Sequence, residues 1–194
     1  MVGKRGTKRA VTVRRPRPPL NPEKLNELAL TYVARFATTR AKLARYLTAK
    51  VRERGWEGGQ EPDIAQIVER CSSLGFVDDA AFALSKARSL TGRGYGTGRV
   101  RQSLRAAGVA DQDSQAATEL AERDAVEAAL RLAGRKRIGP YSATPMEREA
   151  REKALAAMVR AGHSFGLAKA IIALEPGVDP DPLSLSEAAG LIID

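Results

Sequence analysis

The rest of the chain is organised around the segment FVDDAAFALSKARSLTGRGYGTGRVRQSLRAAGV, residues 76–109. It opens with an acidic pair, Asp78 and Asp79, whose side-chain oxygens stand where a helix N-cap needs them. No further acid occurs in the stretch. A glycine-rich segment at 92–98 separates two helical patterns, and its glycines permit backbone conformations that other residues avoid. The pattern predicts an acid-free helix–loop–helix whose flexible loop carries one aromatic residue, Tyr95, at its tip.

The cations of this stretch form the first candidate binding surface. They suit an anionic or acidic partner better than a small substrate, although a solvated basic face is the plain alternative. Arg101 and Arg105 are one helical turn apart and predict a fixed positive pair, whereas Arg99 lies on another side of the helix. Tyr95 and the loop residue Trp56 could stack on a base or pack under their own loops. The candidate binding residues are Lys86, Arg88, Arg93, Tyr95, Arg99, Arg101 and Arg105.

Apolar residues on both sides of the stretch recur at helical spacing. Alanine and leucine supply most of the apolar content while aromatic residues make up only 5% of the chain, which favours helices over sheets. The segment LRAAG at 104–108 matches MVRAG at 158–162 in character, and a leucine follows each glycine by twelve residues. The helical spacing of the apolar residues predicts nine helices in an all-α fold, and the repeat predicts that they form similar units. We expect three tandem three-helix modules that form an elongated, curved molecule, at 22–76, 77–121 and 122–175.

The two ends of the chain differ from the modules in composition. The net charge is +9, and residues 1–22 hold seven cations and no acid. Prolines and like charges predict a disordered or extended basic arm over 1–21, which either contacts phosphates or only aids solubility. Residues 176–194 form a C-terminal tail rich in Asp and Pro. The DNA-binding candidates of the arm are Lys4, Arg5, Lys8, Arg9, Arg14, Arg15 and Arg17.

Residues that usually carry catalysis or bind metals are scarce. The single histidine, His163, and the single cysteine, Cys71, are far apart in sequence, so neither a metal site nor a Cys–His nucleophile is expected. His163 follows a helix-ending glycine and is expected to be a surface or C-cap residue, whereas Cys71 is expected in a core. The glycine segment lacks the spacing of a nucleotide-binding loop. We expect no enzyme activity, no cofactor, no metal and no membrane span, in a cytoplasmic monomer.

The central residues resemble the core signature of the RecX regulatory proteins. The resemblance rests on Leu74-Gly75-Phe76-Val77-Asp78-Asp79, on Phe82-Ala83, and on Arg101-x-x-Leu104-x-x-x-Gly108 after the basic glycine loop. An upstream helix with Arg40-x-x-Leu43-x-x-x-Leu47 and the threefold helical repeat also match, so that the resemblance covers about residues 25–175. A long loop at Gly58-Gly59, the very basic arm and a tail at 179–194 depart from the family pattern.

The resemblance implies an all-helical regulator, built of tandem three-helix repeats, that binds the RecA recombinase. Such a protein lodges in the groove of the RecA–single-stranded-DNA filament and modulates, usually inhibits, its ATPase and strand exchange. It is not an enzyme. The residues alone leave open an alternative, a sequence-independent DNA-binding protein that acts without RecA. The regulator should need RecA, whereas the DNA-binding protein should act on naked DNA with steep salt dependence.

Overall fold

A computed structural model describes residues 18–190, and its architecture over that range is all-helical. The helices are α1 Pro22–Arg35, α2 Arg40–Arg54, α3 Ile64–Ser73, α4 Asp79–Gly92, α5 Thr97–Ala107, α6 Asp111–Arg123, α7 Ala125–Lys136, α8 Arg148–Arg160, α9 Phe165–Ala173 and α10 Pro182–Ala188. A 3-10 turn at Gly139–Tyr141 lies between α7 and α8. The only extended pairing in the described range is an isolated bridge between Leu20 and Trp56. The all-α prediction is therefore confirmed for these residues.

Three hydrophobic clusters divide the helices into three units. The first unit, α1–α3, packs around Leu43 and Leu47, and its cluster also holds the predicted core residue Cys71, which is 4% exposed. The second unit, α4–α6, packs around Val100 and Leu104. The third unit, α7–α9, packs around Met158. The residue boundaries that the sequence suggested for the modules stay predictions.

Both ends of the described range pack onto these units. Leu20, assigned to the arm from the sequence, is fully buried in the first cluster, and its amide donates to the Gly55 carbonyl at 2.9 Å. Helix α10, which the sequence did not predict, packs on α7 and α9 and places Leu185 in the third cluster. Asp181 caps this helix by accepting hydrogen bonds from two backbone amides. The helix has only seven residues, too few to display an apolar period.

Side-chain caps set several helix starts. Thr39 and Asp78 each accept a hydrogen bond from the amide three residues further on, as an N-cap does. Helix α6 begins without such a cap, because its N-cap is Ala110, which makes no side-chain hydrogen bond. Asp111 and Asp113 lie in the first turn of this helix. Acidic residues there still stabilise the helix through its dipole.

The first and second units meet where the start of α2 faces the end of α5, a contact we call the first junction. Thr39 Oγ1 donates to the Ala107 carbonyl at 2.7 Å, and Arg45 Nη2 donates to the Ala106 carbonyl at 3.3 Å. The buried Asp79 carboxylate accepts the backbone amide of Arg40 at 2.9 Å. The amide-rich start of one helix therefore lies against the carbonyl-rich end of another, which is favourable for both dipoles.

The second and third units meet in the same arrangement at the second junction, with the start of α5 against the end of α8. The Gly96 amide donates to the Ala161 carbonyl at 3.0 Å, and the Gly98 amide donates to the Gly162 carbonyl at 2.9 Å. A Cβ added at Gly96 would overlap the Gly162 carbonyl oxygen, and one added at Gly162 would overlap the Arg99 amide nitrogen. The two backbones approach so closely that glycine is required on both sides.

The glycine-rich segment is therefore a packed turn and not the flexible loop that its composition predicted. Only residues 93–96 lie outside α4 and α5, and both Gly94 and Gly96 are buried. His163, expected at the surface or at a helix C-cap, is also buried here, with its Nε2 3.1 Å from the Gly94 carbonyl oxygen. The prediction of a flexible loop was wrong because glycine is equally compatible with a free loop and with a close backbone contact.

Candidate nucleic-acid and protein interface

The structure separates the seven candidate residues of the central stretch into three groups. One group lies on α4, one surrounds the second junction, and one faces α6 from the other side of α5. These groups are Lys86 with Arg88, then Arg93 with Tyr95 and Arg99, and finally Arg101 with Arg105. Because the groups differ in burial and in neighbouring charges, they differ in what they can bind.

Tyr95 lies between two units and not at an exposed loop tip. Its ring is half-buried and packs against both the second and the third hydrophobic cluster. The guanidinium carbons of Arg93 and Arg99 lie 5.4 Å and 6.0 Å from the ring centroid, within the range of cation–π attraction. Tyr95 therefore has a packing role, and it also fixes where the two arginines stand.

Arg101 forms an ion pair, although no acid is near it in the sequence. Its Nη2 lies 2.5 Å from Glu122 Oε1 of α6. Arg105 lies on the same side of α5, in a cleft that it shares with Asp111 and Ser114. The predicted fixed positive pair therefore has acids beside it, because the fold brings α6 alongside. A charge pattern along the chain could not reveal these neighbours.

The opposite side of α5 keeps its positive charge. Arg99, Gln102 and Ala106 share this side because they are three and four residues apart. Arg99 Nη1 donates to Gln102 Oε1 at 2.8 Å, and Arg45 of α2 reaches the Ala106 carbonyl. Neither arginine forms an ion pair with a carboxylate of residues 18–190. Positive charge therefore lies along this side of α5, from the second junction to the first.

Lys42 and Arg45 are binding candidates that the sequence analysis missed. Both lie on α2, and Lys42 interacts electrostatically with Lys86 of α4 across the first junction. Lys42 Nζ lies 4.3 Å from the centroid of the Phe82 ring. Burial lowers the pKa of Lys42 below its ordinary value, and the charges of Lys86 and Arg45 lower it further. Only the tertiary fold brings α2 and α4 together, so no sequence signal marked this group.

We call the five cations of this surface the basic strip: Lys42, Arg45, Lys86, Arg93 and Arg99. The strip crosses from the first unit to the second and ends at the second junction. None of the five pairs with a carboxylate within the described part of the chain. Two aromatic rings, Phe82 and Tyr95, lie next to its cations. Cations interleaved with aromatic rings are typical of surfaces that bind single-stranded nucleic acid.

The other candidates lie away from the strip or outside the described residues. Arg88 is exposed on α4 and forms no ion pair within residues 18–190. Trp56 packs against the first cluster, and its Nε1 donates to the Gln60 carbonyl at 2.6 Å, so it supports its own loop. The arm candidates lie outside the described residues: Lys4, Arg5, Lys8, Arg9, Arg14, Arg15 and Arg17.

The described helices offer little to metal or thiol chemistry. Residues 18–190 contain no group of three or more His, Cys, Asp or Glu side chains that could hold a metal ion. Cys71 is buried in the first cluster, where burial raises the pKa of its thiol and so disfavours the reactive thiolate. In the same range, every helix is too short or too polar to cross a membrane.

The fold and the basic strip define an all-helical protein of successive three-helix units with a cationic surface across the first two. The family described as RecX, second three-helix domain, matches residues 78–117. The regulatory protein RecX of Myxococcus xanthus (strain DK1622) is 36% identical over 174 residues, covering 84% of this chain and 91% of that protein. The chain belongs to the RecX family of regulatory proteins, as the resemblance of its central stretch predicted.

Further relatives agree with this assignment. The regulatory protein RecX of Xanthomonas axonopodis pv. citri (strain 306) is 33% identical over 135 residues, covering 69% of this chain and 76% of that protein. The crystal structure of RecX from Lactobacillus salivarius matches with a TM-score of 0.60 at 21% identity, over 77% of this chain and 93% of that chain. A second crystal structure of a regulatory protein RecX gives a TM-score of 0.58 at 24% identity, over 78% and 70%. At these identities the two structures support the shared fold alone.

Proposed function

We propose that this protein binds the RecA–single-stranded-DNA filament and inhibits its ATPase and strand exchange. Membership of the RecX family supports a regulatory role. The observation that carries the proposal is the basic strip, five cations from two units without a carboxylate partner among residues 18–190. Such a surface complements DNA phosphates and acidic protein surfaces.

The arrangement of the strip suits a partner with repeating subunits. The middle helices α2, α5 and α8 follow one another end to end through the two junctions. Helix α5 alone has 11 residues and spans about 16 Å at 1.5 Å per residue. A row of units of this length can contact neighbouring protomers of a filament, and it favours whichever filament conformation it binds better. Holding that conformation limits ATP turnover, and covering the groove limits access by a second DNA strand.

The direct test measures RecA ATPase on single-stranded DNA while this protein is added. We expect inhibition well below one molecule per RecA protomer, because each molecule bridges several protomers. Naked single-stranded DNA is measured in parallel by fluorescence anisotropy. Unchanged ATPase together with strong, salt-dependent binding to naked DNA would overturn the proposal in favour of a DNA-binding protein that acts without RecA.

A pair of variants tests whether the strip is the working surface. Arg93→Gln with Arg99→Gln should weaken inhibition at least tenfold, because neither guanidinium group pairs with a carboxylate of residues 18–190 and both can bind a phosphate or carboxylate of a partner. The matched control is Arg148→Gln with Arg151→Gln on α8, outside the strip. Arg101 and Arg105 stay candidates, but we expect smaller effects because Glu122 pairs with Arg101. Equal inhibition by the strip variant and the control would exclude the strip.

The N-terminal cations form a separate part of the proposal. Seven cations without an acid suit a sequence-independent tether to DNA phosphates. Deleting residues 1–17 should lower affinity for naked DNA at low salt and leave the melting temperature unchanged, because Leu20 and its core contacts are retained. Unchanged DNA affinity after the deletion would rule out the tether.

A further inference from the structure

Three cations crowd together at the first junction, and two units supply them. Lys42 and Arg45 belong to the first unit, whereas Lys86 belongs to the second. Lys42 repels both Lys86 and Arg45 electrostatically, and it lies over the ring of Phe82. None of the three makes an ion pair with any carboxylate that the structure describes.

This crowding does not reflect a general shortage of acids. Elsewhere in residues 18–190 the cations of α5, α7 and α8 do find carboxylates, as in the pairs Arg101–Glu122 and Lys153–Glu149. The acid at the first junction, Asp79, is buried and accepts the Arg40 amide. Like charges held this close raise the free energy of the junction, and an anion placed among them lowers it.

We propose that Lys42, Arg45 and Lys86 form a phosphate clamp across the first junction, which binds a phosphodiester group of single-stranded DNA. The assignment of nucleic acid as the ligand of the clamp rests on the proposed function. Two neighbouring aromatic residues favour nucleic acid over an acidic peptide, because bases stack on aromatic rings and carboxylates do not. These residues are Phe82 beside the clamp and Tyr95 at the second junction.

The clamp has two consequences for how DNA lies on the protein. Because the three cations come from two units, one bound phosphate links the first unit to the second. The clamp also lies about 10 Å from the group around Tyr95, since Ala106 and Arg99 are seven positions apart along α5. At about 3.4 Å per nucleotide, roughly three nucleotides cover that distance. A short strand therefore reaches both groups of the basic strip at once.

The test uses a fluorescently labelled thymidine oligonucleotide and the full chain without RecA. The clamp variant carries Lys42→Gln, Arg45→Gln and Lys86→Gln. The control variant removes the same charge on α8 through Arg148→Gln, Arg151→Gln and Lys153→Gln. We expect the clamp variant to lose at least tenfold in affinity, and its slope of log affinity against log salt to fall by about 0.7, the value for one phosphate contact. The control should keep most of the wild-type slope.

Stability separates a binding effect from a folding defect. Removing the mutual repulsion should offset the loss of the Arg45 bond to the Ala106 carbonyl, so that the clamp variant melts within a few degrees of wild type. The oligonucleotide should raise the melting temperature of wild type and control only. If the triple variant does not fold, the single variant Lys86→Gln is measured in its place, with an expected fall in the salt slope that is smaller than about 0.7. A clamp variant with the control's affinity and slope overturns the proposal. So does tighter binding of a polyglutamate of matched charge than of the oligonucleotide.

The clamp and the proposed function can fail separately. Normal inhibition of RecA ATPase by a clamp variant whose DNA affinity matches that of the control rejects the clamp and keeps the filament regulator. Clamp-dependent binding to naked DNA without any effect on RecA keeps the clamp and rejects the regulator.

Discussion

The two junctions join their units through the same arrangement of helices, but one is made by side chains and the other by direct backbone contact. At each, the start of one middle helix lies against the end of the next, α2 on α5 and α5 on α8. The first junction uses side chains, because Thr39, Asp79 and Arg45 bond to backbone groups of the neighbouring unit. The second uses the absence of side chains, because Gly96 and Gly98 bring the backbone of α5 against that of α8.

The two junctions share only their matching helix ends, so these ends, and not a particular residue pair, join the units. The amide-rich start of a helix complements a carbonyl-rich end in any sequence. Side chains decide only how closely the two ends approach. A junction made by side chains can adjust to a substitution, whereas backbones in direct contact cannot accept an added Cβ. The second junction should therefore be the more sensitive of the two.

The largest effect is expected for Gly96→Ala at the second junction. Its φ of −82° is allowed for alanine, so that any cost comes from the overlap of the new Cβ with Gly162. We expect the free energy of unfolding to fall by about 3 kcal/mol, measured by urea denaturation.

Gly92→Ala is the matched control for that substitution. Its Cβ would have Arg131 as its nearest neighbour, at 4.0 Å, so the change should be neutral or stabilise α4 by up to about 1 kcal/mol. Equal stability of the two variants would show that the backbones are not in contact at the second junction.

Asp79→Ala should have the next largest effect, at the first junction. It leaves the Arg40 amide without its buried acceptor, and we expect a loss of about 2 kcal/mol. Asp79→Asn keeps an acceptor oxygen and should lose less. Asp78→Ala removes only the cap of its own helix and should lose about 1 kcal/mol. An Asp79→Ala variant as stable as Asp78→Ala would argue against a side-chain junction.

The sequence predicted the helices better than their contacts. Apolar spacing around Leu104 and Met158 located α5 and α8, because a helical period is a local property of the chain. The matched glycines Gly108 and Gly162 marked the ends of α5 and α8, and each of these ends contacts the start of another middle helix. The neighbours themselves were not predictable. The Asp79 contact, for example, joins positions 39 residues apart, and no local pattern identifies such a partner.

The candidate site was predicted only in part, because its residues are brought together by contacts between distant segments of the chain. Lys86, Arg93 and Arg99 stood out because the central stretch lacks acids. Lys42 belongs with them only after α2 packs beside α4, so its spacing along the chain gave no warning. Arg101 was expected to form a positive pair with Arg105, and it also forms an ion pair because α6 brings Glu122 alongside. Charge along a sequence locates cations but does not say which acids the fold places beside them.

A pH effect distinguishes the junctions further, because the only histidine of the chain lies at the second. His163 is buried, its Nδ1 has no partner among the described residues, and burial lowers its pKa. The folded state therefore favours the neutral ring, whereas the unfolded chain protonates near pH 6.5. Stability should fall as the pH drops below about 6.5, by up to about 1.4 kcal/mol per pH unit, until the folded pKa is reached.

His163→Gln removes this titration and keeps an amide that can donate to the Gly94 carbonyl. The difference in unfolding free energy between wild type and variant should therefore change between pH 7 and pH 5, with the wild type losing more. Urea denaturation at several pH values measures it. Parallel pH profiles for the two proteins would mean that His163 titrates alike in the folded and unfolded states.

The smallest effect is expected for the ion pair between Arg101 and Glu122, which links α5 to α6 within one unit and takes no part in either junction. The two side chains are 51% and 41% exposed, so water screens their attraction. Arg101→Gln and Glu122→Gln should each cost less than about 1 kcal/mol, and a double-mutant cycle should give a coupling of about 0.5 kcal/mol. High salt should remove most of that coupling, whereas it should leave the cost of Asp79→Ala unchanged, because buried contacts are screened far less. A coupling above about 1 kcal/mol that persists in about 1 M salt would place the pair among the buried contacts. In that case salt dependence would not distinguish the Arg101–Glu122 ion pair from the buried contacts of the junctions.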